Sequence, residues 1–194
     1  MDDARQICSG PLYEVSFNFG GILVFLKSIN RILILCFVSS GSSSVDPWGH
    51  WYVSSATIYS SYANTGSGDY DFAVLTMGSS SGFGSTPIGN YMGTLGVKSQ
   101  PCSYDENAMR ITGYPGDKPS GSMWTTGICD DWSYSCGSDK IYHKCDTAGG
   151  MSGSAIRDGG NYIVAVHTNG GSTWNSGKAI TPSVLGSIQA WAGL

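Results

Sequence analysis

Hydrophobic residues along this chain come in short runs separated by stretches rich in glycine, serine and threonine. Short apolar runs bounded by turn residues are typical of β-strands. They predict six extended segments, which are residues 51–62, 71–77, 107–115, 141–147, 152–156 and 161–169. Asp158, Gly159 and Gly160 predict a hairpin turn between the last two segments, and the stretch between Met77 and Asn90 predicts a loop.

The one convincing helical pattern lies at the carboxyl end. Thr181 is a favourable N-cap, and Pro182 suits the first helical position. Apolar residues then recur at helical spacing, at Val184, Leu185, Ile188 and Trp191. We expect this helix to pack on a barrel surface. Since strands and helices do not alternate, the pattern predicts an all-β fold built as an antiparallel barrel.

Length and charge narrow the possible functions. The 194 residues are enough for one domain that buries about 70% of its unfolded surface. Charged residues make up 12% of the chain, the net charge is −4, and the ten lysines and arginines are scattered singly. We therefore expect no nucleic-acid partner, because nucleic-acid binding needs a basic patch.

Six cysteines in a chain of low charge favour disulfides and a secreted protein. They are Cys8, Cys36, Cys102, Cys129, Cys136 and Cys145. A zinc site would use Cys129, Cys136, His143 and Cys145, but their spacing lacks the close pairs of structural zinc sites. Disulfides are therefore the favoured interpretation, and no metal is expected.

The amino-terminal region does not fit this picture in two respects. The first residues are acidic and lack the basic and apolar segments of a signal peptide, so none is expected in the chain as written. Residues 19–38 are apolar enough to suggest a membrane span, yet Lys27 and Arg31 lie near its centre. Each charge costs a few kcal/mol there, about 3 kcal/mol on insertion scales, so membrane insertion is disfavoured.

The run Gly149-Gly150-Met151-Ser152-Gly153-Ser154 carries the candidate chemistry. A serine hydroxyl between glycines can attack a carbonyl while bare backbone N–H groups stabilise the oxyanion that forms. Such a nucleophile needs a base and a group that orients the base. Asp71, at the start of an apolar strand, is a candidate for the orienting carboxylate, although it could equally be a solvated turn residue.

Four motifs together carry a family resemblance: YDFAVLTM, ITGYPGDKP, GGMSGSAI and VAVHTNGG. They resemble the chymotrypsin-fold serine endopeptidases, and most closely the glutamyl-endopeptidase or V8-like branch. The resemblance implies two six-stranded antiparallel β-barrels with the active site between them. It also implies that Ser152 is the nucleophile, that Asp71 is the orienting acid, and that the N–H groups of Gly150 and Ser152 form the oxyanion hole.

The resemblance further implies a specificity pocket for acidic side chains, formed by His167 and Thr147. A histidine and a threonine hydroxyl can both bond a substrate carboxylate. Asp146 stands where trypsin-like members bind arginine or lysine, so it would repel glutamate if it faced the pocket. Met151 replaces the aspartate that binds the new amino terminus of trypsin-like enzymes, so activation by that switch is not expected.

The general base of the family is absent. Cys8-Ser9-Gly10 and Cys36–Gly41 resemble the two elements that flank the catalytic histidine, but Leu35 stands in its place. The resemblance implies a disulfide between Cys8 and Cys36, which leaves three pairings for the other four cysteines. Of the remaining histidines, His50 is a weak candidate for the base, and His143 is interpreted as an exposed strand residue.

The resemblance covers roughly residues 36–194 and predicts one trypsin-like domain over residues 1–194. Residues 1–35 are expected to be aberrant or truncated, through an artefact of the gene model, so that the amino-terminal barrel is incomplete. Residues 36–100 would be the rest of that barrel and residues 101–194 the second barrel and helix. The expected function is a secreted, monomeric serine endopeptidase that cleaves peptides after Glu or Asp without a cofactor. The alternative is a catalytically dead homologue that binds peptides.

Overall fold

The computed structural model describes residues 50–80, 95–100, 108–119, 122–129, 132–136 and 138–193, with the backbone of four strands nearer the amino terminus. Six strands of the amino-terminal half are antiparallel and close into a barrel in the order β1-β2-β3-β6-β5-β4. They are β1 (Gln6–Ile7), β2 (Val15–Phe17), β3 (Ile22–Phe25), β4 (Cys36–Ser39), β5 (His50–Ile58) and β6 (Ala73–Ser80).

Closure of this barrel corrects the expectation that it is incomplete. The apolar stretch within residues 1–35, which was expected to be aberrant, contributes strand β3. This strand pairs with β2 on one side and with β6 on the other. The pairing with β6 runs from Ile22 opposite Thr76 to Phe25 opposite Ala73. Short apolar runs favour a buried strand as readily as a helix, and here tertiary pairing selects the strand. The division of the chain at residues 35 and 100 stays a prediction.

The carboxyl-terminal half is a curled, seven-stranded antiparallel sheet, a half-barrel. Its strands are β7 (Arg110–Gly113), β8 (Trp124–Thr125), β9 (Trp132–Tyr134), β10 (Lys140–His143), β11 (Ala155–Arg157), β12 (Ile163–Asn169) and β13 (Asn175–Ala179), in the order β8-β7-β11-β12-β13-β10-β9. The predicted hairpin turn joins β11 to β12, where Asn161 donates its N–H to the Asp158 carbonyl at 2.9 Å. The all-β fold class is therefore confirmed.

Two α-helices accompany the sheets in the described part of the chain. The predicted terminal helix is α2 (Pro182–Ala192), whose N-cap Thr181 accepts a hydrogen bond from the Val184 N–H. A shorter helix, α1 (Ser60–Thr65), corrects the prediction that residues 51–62 are extended throughout. The strand ends at Ile58, and Gly66, in the left-handed conformation at φ 65°, donates its N–H to the Tyr62 carbonyl and closes the helix.

Among the residues whose side chains are described, two hydrophobic clusters hold these elements. One joins the halves of the molecule, because Phe72 and Val74 of the amino-terminal half pack with residues of the carboxyl-terminal half: Ala155, Ile163, Val166, Ile180, Val184 and Ile188. The other fills the curled sheet and includes Met109, Ile141, Met151 and Ile156. The first cluster therefore fixes the strand that follows Asp71 against the strand that follows Ser152.

Within the described ranges, no helix is long and apolar enough to span a membrane.

Candidate active site

The loop before β11 has the backbone conformation that its glycines allow. Gly150 and Gly153 have φ values of 102° and 96°, in the region where a side chain would be strained. Between them, Met151 is only 2% exposed and packs in the cluster that fills the curled sheet. The buried methionine thus anchors the loop from within, and Ser152 lies at the edge of the core.

Hydrogen bonds in this loop follow a pattern. The N–H groups of Met151, Gly153 and Ser154 donate to the carbonyls of Ala148 (3.1 Å), His167 (2.7 Å) and Met151 (3.0 Å). The N–H groups of Gly150 and Ser152 have no acceptor among the described residues. Gly150 is exposed and Ser152 is part-buried, so these two N–H groups can donate to a ligand oxygen.

The Ser152 hydroxyl is part-buried and donates to the backbone carbonyl of Thr168, with an O···O distance of 3.0 Å. No imidazole bonds to Ser152 in the part of the chain that the structure describes. A carbonyl oxygen can accept this hydrogen bond but is far too weak a base to remove the proton. Leu35 lies outside the described residues, and of His50 only the backbone, at the start of β5, is described.

Asp71 is buried, with 4% of its surface exposed. It follows a short 3-10 helix (Gly68–Tyr70), and its N–H donates to the Gly68 carbonyl. Burial, followed by the charge of Asp71, raises the pKa of Tyr62, on α1, to about 12. Asp71 is therefore a buried carboxylate, not a solvated turn residue.

A pair of buried histidines lies behind the serine loop. His167 on β12 and His143 on β10 are 2% and 0% exposed, and Nε2 of His143 lies 3.2 Å from Nδ1 of His167. The interpretation of His143 as an exposed residue is therefore wrong. Alternation along β10 places Ile141, His143 and Cys145 inward and Lys140, Tyr142 and Lys144 outward.

Both histidines are neutral at physiological pH. Burial, and after it the neighbouring His167, lowers the pKa of His143 to about 3, and burial lowers the pKa of His167 to about 4. His167 also hydrogen-bonds the Ser176 backbone, which acts in the opposite direction. We assign His143 as the donor to Nδ1 of His167, because this leaves the Nδ1 of His143, which is buried without a partner, as the unprotonated nitrogen.

This pair should make the protein sensitive to acid. In the unfolded chain each histidine binds a proton below about pH 6.5, whereas the folded protein resists protonation until about pH 3 to 4. Stability is therefore complete above pH 6.5 and is lost as the pH falls through this window, by up to about 1.4 kcal/mol per pH unit for each histidine. In urea unfolding between pH 7 and 4, the free energy of unfolding of His143→Gln should fall less steeply than that of the wild type. The glutamine amide can still donate to His167. Identical pH dependence in the two proteins would contradict this.

The remaining predicted pocket residues lie on the segment after β10. Thr147 has a buried hydroxyl with no hydrogen-bond partner among the described residues. Asp146 is exposed, and its charge contributes to the raised pKa of Lys118, after the larger effect of the Asp117 hydrogen bond. Asp146 is thus a solvent-exposed carboxylate in the neighbourhood of Lys118. No hydrogen bond joins Thr147 to His167 within the described ranges.

A disulfide between Cys129 and Cys145 fixes the start of this segment, with Cα atoms 5.3 Å apart. Cys136 is disulfide-bonded as well. These sulfur atoms are therefore not available as zinc ligands, which excludes the alternative metal site. Asn175 adds a second brace, because its amide donates to the Cys145 carbonyl at 2.9 Å.

The structure thus joins some of the predicted site residues and not others. The Ser152 loop is bonded to the His167 strand at three points: Gly153 N–H to the His167 carbonyl, His167 N–H to the Ser154 carbonyl (2.9 Å), and the Ser152 hydroxyl to the Thr168 carbonyl. Phe72, the residue after Asp71, shares a hydrophobic cluster with Ala155 and Val166 of this region. Sequence reasoning missed Thr168, whose contact arises only in the fold, and misjudged His143, whose burial the flanking Ile141 and Cys145 could have indicated.

Comparisons with known proteins point to peptidases. The chain is 32% identical over 140 residues to a glutamyl endopeptidase of Bacillus licheniformis, which is 66% of this chain and 40% of that protein. It is 33% identical over 130 residues to an extracellular metalloprotease of Bacillus subtilis, which is 64% of this chain and 38% of that protein. The chain therefore spans about two fifths of the length of these relatives.

A solved structure of a Glu endopeptidase in complex with MPD superimposes with a TM-score of 0.77 and 25% identity, over 98% of this chain and 90% of that structure. No protein-family model matches the chain. In the described part of this chain, no group of three or more His, Cys, Asp or Glu side chains could hold a metal ion.

Proposed function

Because this chain is a V8-like homologue of the chymotrypsin-fold serine proteases, we propose that it is a serine endopeptidase that cleaves after Glu or Asp through an acyl-enzyme on Ser152. The observation that carries this proposal is the pair of N–H groups, on Gly150 and Ser152, that have no acceptor among the described residues. They flank the buried Met151. Three other N–H groups, those of Met151, Gly153 and Ser154, donate to backbone carbonyls and fix the loop. A loop so fixed offers preorganised donors without further rearrangement.

In the proposed reaction, the Ser152 oxygen bonds to the scissile carbonyl carbon, and the carbonyl oxygen becomes an oxyanion held by the Gly150 and Ser152 N–H groups. Collapse of this intermediate breaks the C–N bond, and the leaving amine takes a proton. Water then hydrolyses the ester. Asp71 would orient the imidazole that moves these protons. In the chain as written that imidazole is missing, so the oxyanion donors and substrate binding supply the residual rate.

Selection of acidic side chains rests on three observations. The Thr147 hydroxyl is buried and unpartnered, so a substrate carboxylate would give it the hydrogen bond that it lacks. His167 is neutral and held in one orientation by His143, which makes it a fixed dipole and not a mobile charge. Asp146 is exposed to solvent, which screens its charge and weakens its repulsion of an acidic substrate side chain.

The hydrogen bond from the Ser152 hydroxyl to the Thr168 carbonyl favours a second candidate function. The Ser152 hydroxyl donates its hydrogen bond to a carbonyl, and His143 and His167 are bonded to each other. Neither of these two histidines can therefore deprotonate Ser152. The second candidate is therefore a catalytically dead homologue that keeps the peptide-binding site.

A fluorophosphonate probe distinguishes the two candidates, because it phosphonylates a serine only when the hydroxyl is activated. We expect slow, Ser152-dependent phosphonylation of the wild-type chain, at the reduced rate that the oxyanion donors alone support, and none in Ser152→Ala. Binding of a glutamate-containing peptide by both proteins, without labelling of either, would reject the endopeptidase and support the dead homologue.

We propose that the protein is secreted and monomeric and that its partners are peptides or proteins that it cleaves. The disulfide between Cys129 and Cys145 supports an oxidising compartment.

A further inference from the structure

We propose that Asn175 is a positioning residue for the selection of acidic side chains, because its amide ties together the two chain segments that carry Thr147 and His167. Its effect on substrate choice rests on the proposed function, in which those two residues contact a substrate carboxylate. The two hydrogen bonds that its side chain makes do not, because they follow from the fold alone.

The side-chain amide of Asn175 joins two segments that are distant in the sequence. Its Nδ2 donates to the Cys145 carbonyl, with an N···O distance of 2.9 Å, and its Oδ1 accepts from the Gly171 N–H at 3.1 Å. An asparagine amide has both a donor and an acceptor, so these two partners fix which way it points. Thr147 follows Cys145 by two residues, and His167 precedes Gly171 by four. One planar amide therefore sets the distance between the segment after β10 and the loop after β12.

Strand pairing puts Asn175 in the place from which it can reach both segments. Asn175 is the first residue of β13 and lies opposite His143, the last residue of β10. The next residue, Ser176, lies opposite Asn169, the last residue of β12. Since β13 is the middle strand of these three, the side chain that begins it is held between the ends of its two neighbours.

Each of the two segments has a further restraint close to the amide. On one side, the disulfide to Cys129 fixes Cys145. On the other side, the loop turns so tightly that a Cβ atom at Gly171 would collide with the Trp174 carbonyl oxygen, so the loop needs glycine there. The amide of Asn175 therefore joins two restrained pieces of chain, and a displacement of one is passed to the other.

Recognition of a carboxylate depends on the spacing that Asn175 sets. The Thr147 hydroxyl is buried without a hydrogen-bond partner among the described residues, and His167 is held by the contact of its Nδ1 with His143. A carboxylate can accept from two donors at once only if their positions match its oxygens, and such charge-assisted bonds are the strong ones. A neutral amide side chain gains less from this match. Loss of the Asn175 amide should therefore weaken binding of glutamate more than binding of glutamine.

The first test asks whether the Asn175 amide joins the two segments in the wild-type chain, and it needs no variant to fold. Amide hydrogen exchange is followed by NMR and corrected for the intrinsic rate of each residue. Exchange should be about tenfold slower at the Gly171 N–H than at the Gly170 N–H, which has no acceptor among the described residues. In Asn175→Ala the two rates should agree within about twofold. Equal rates in the wild type, or a Gly171 rate that Asn175→Ala leaves unchanged, would overturn the proposal.

The second test measures substrate choice by binding, in chains that carry Ser152→Ala so that no peptide is cleaved. Two peptides differ only in glutamate or glutamine at one position, and fluorescence anisotropy gives their dissociation constants. Asn175→Ala should weaken binding of the glutamate peptide about tenfold and that of the glutamine peptide less than about twofold. An equal loss for both peptides would show that Asn175 supports the fold and not the selection.

Thr112→Val is the matched control, because it also removes one side-chain hydrogen bond, which the Arg157 guanidinium donates to the Thr112 hydroxyl at 3.0 Å. Thr112 lies on β7, which β11 separates from β12. This variant should change the ratio of the two dissociation constants less than about twofold. A change as large as that in Asn175→Ala would overturn the specificity role. If the chain with native Asn175 does not prefer glutamate, the proposed function fails and the specificity role with it, while the exchange rates still decide whether Asn175 joins the two segments.

Discussion

Leu35→His should raise kcat/KM for a glutamate-containing peptide by about 10⁴-fold, because loss of the general base costs a serine protease at least that much. In the present chain the Ser152 hydroxyl donates to the Thr168 carbonyl, which cannot take up its proton. An imidazole at residue 35, just before Cys36 in the segment that resembles the family pattern, would supply the acceptor. Asp71 is already buried, as expected of a carboxylate that orients an imidazole.

Two controls separate this gain from an effect on folding. Leu35→Gln introduces a polar side chain of similar size without a useful base, and it should leave kcat/KM unchanged within about threefold. Leu35→His combined with Ser152→Ala should lose the gain. Equal rates for Leu35→His and Leu35→Gln, measured from initial velocities of peptide cleavage, would show that the missing histidine does not belong at residue 35.

Gly177→Ala should lower the free energy of unfolding by about 3 kcal/mol, near the upper end for overpacking of a core. Gly177 lies on β13 between Ile141 of β10 and His167 of β12. A Cβ atom there would lie 2.6 Å from the Val166 carbonyl oxygen and 2.8 Å from the Cδ1 atom of Ile156. The oxygen belongs to the paired strand, so it can move only if the ladder beside the two histidines is distorted.

Gly186→Ala is the matched control on helix α2. No atom lies within 4 Å of the Cβ position at Gly186, and alanine is the better helix former. This variant should therefore raise the free energy of unfolding by about 0.5 to 1 kcal/mol. Urea unfolding at pH 7 measures both variants. Equal stability of Gly177→Ala and the wild type would mean that the strands around the histidine pair are more loosely packed than described.

Much of the carboxyl-terminal half could be predicted from the sequence, because the signals there are local. The cap of α2 by Thr181 and the hairpin turn after Asp158 depend on residues a few positions apart. The short strands β8 and β9 were missed, because runs of two or three residues carry no periodic signal. Helix α1 was missed because its start resembles the end of the preceding strand.

The features that escaped prediction depend on contacts between distant residues. Closure of the amino-terminal barrel requires β3 to pair with β6, about fifty positions away. The His143 contact with His167 likewise needs the folded chain, since no spacing rule brings this pair together. The candidate nucleophile Ser152 could be predicted from the sequence, because the glycines beside it indicate a local backbone conformation with positive φ. Its role stays a prediction.

The most direct test of the central proposal is mass spectrometry of the products from two peptides that differ only in glutamate or arginine at one position. The proposed function predicts cleavage on the carboxyl side of glutamate, at least tenfold faster than after arginine, and loss of this cleavage in Ser152→Ala. Preferred cleavage after arginine, or cleavage that persists in Ser152→Ala, would contradict it.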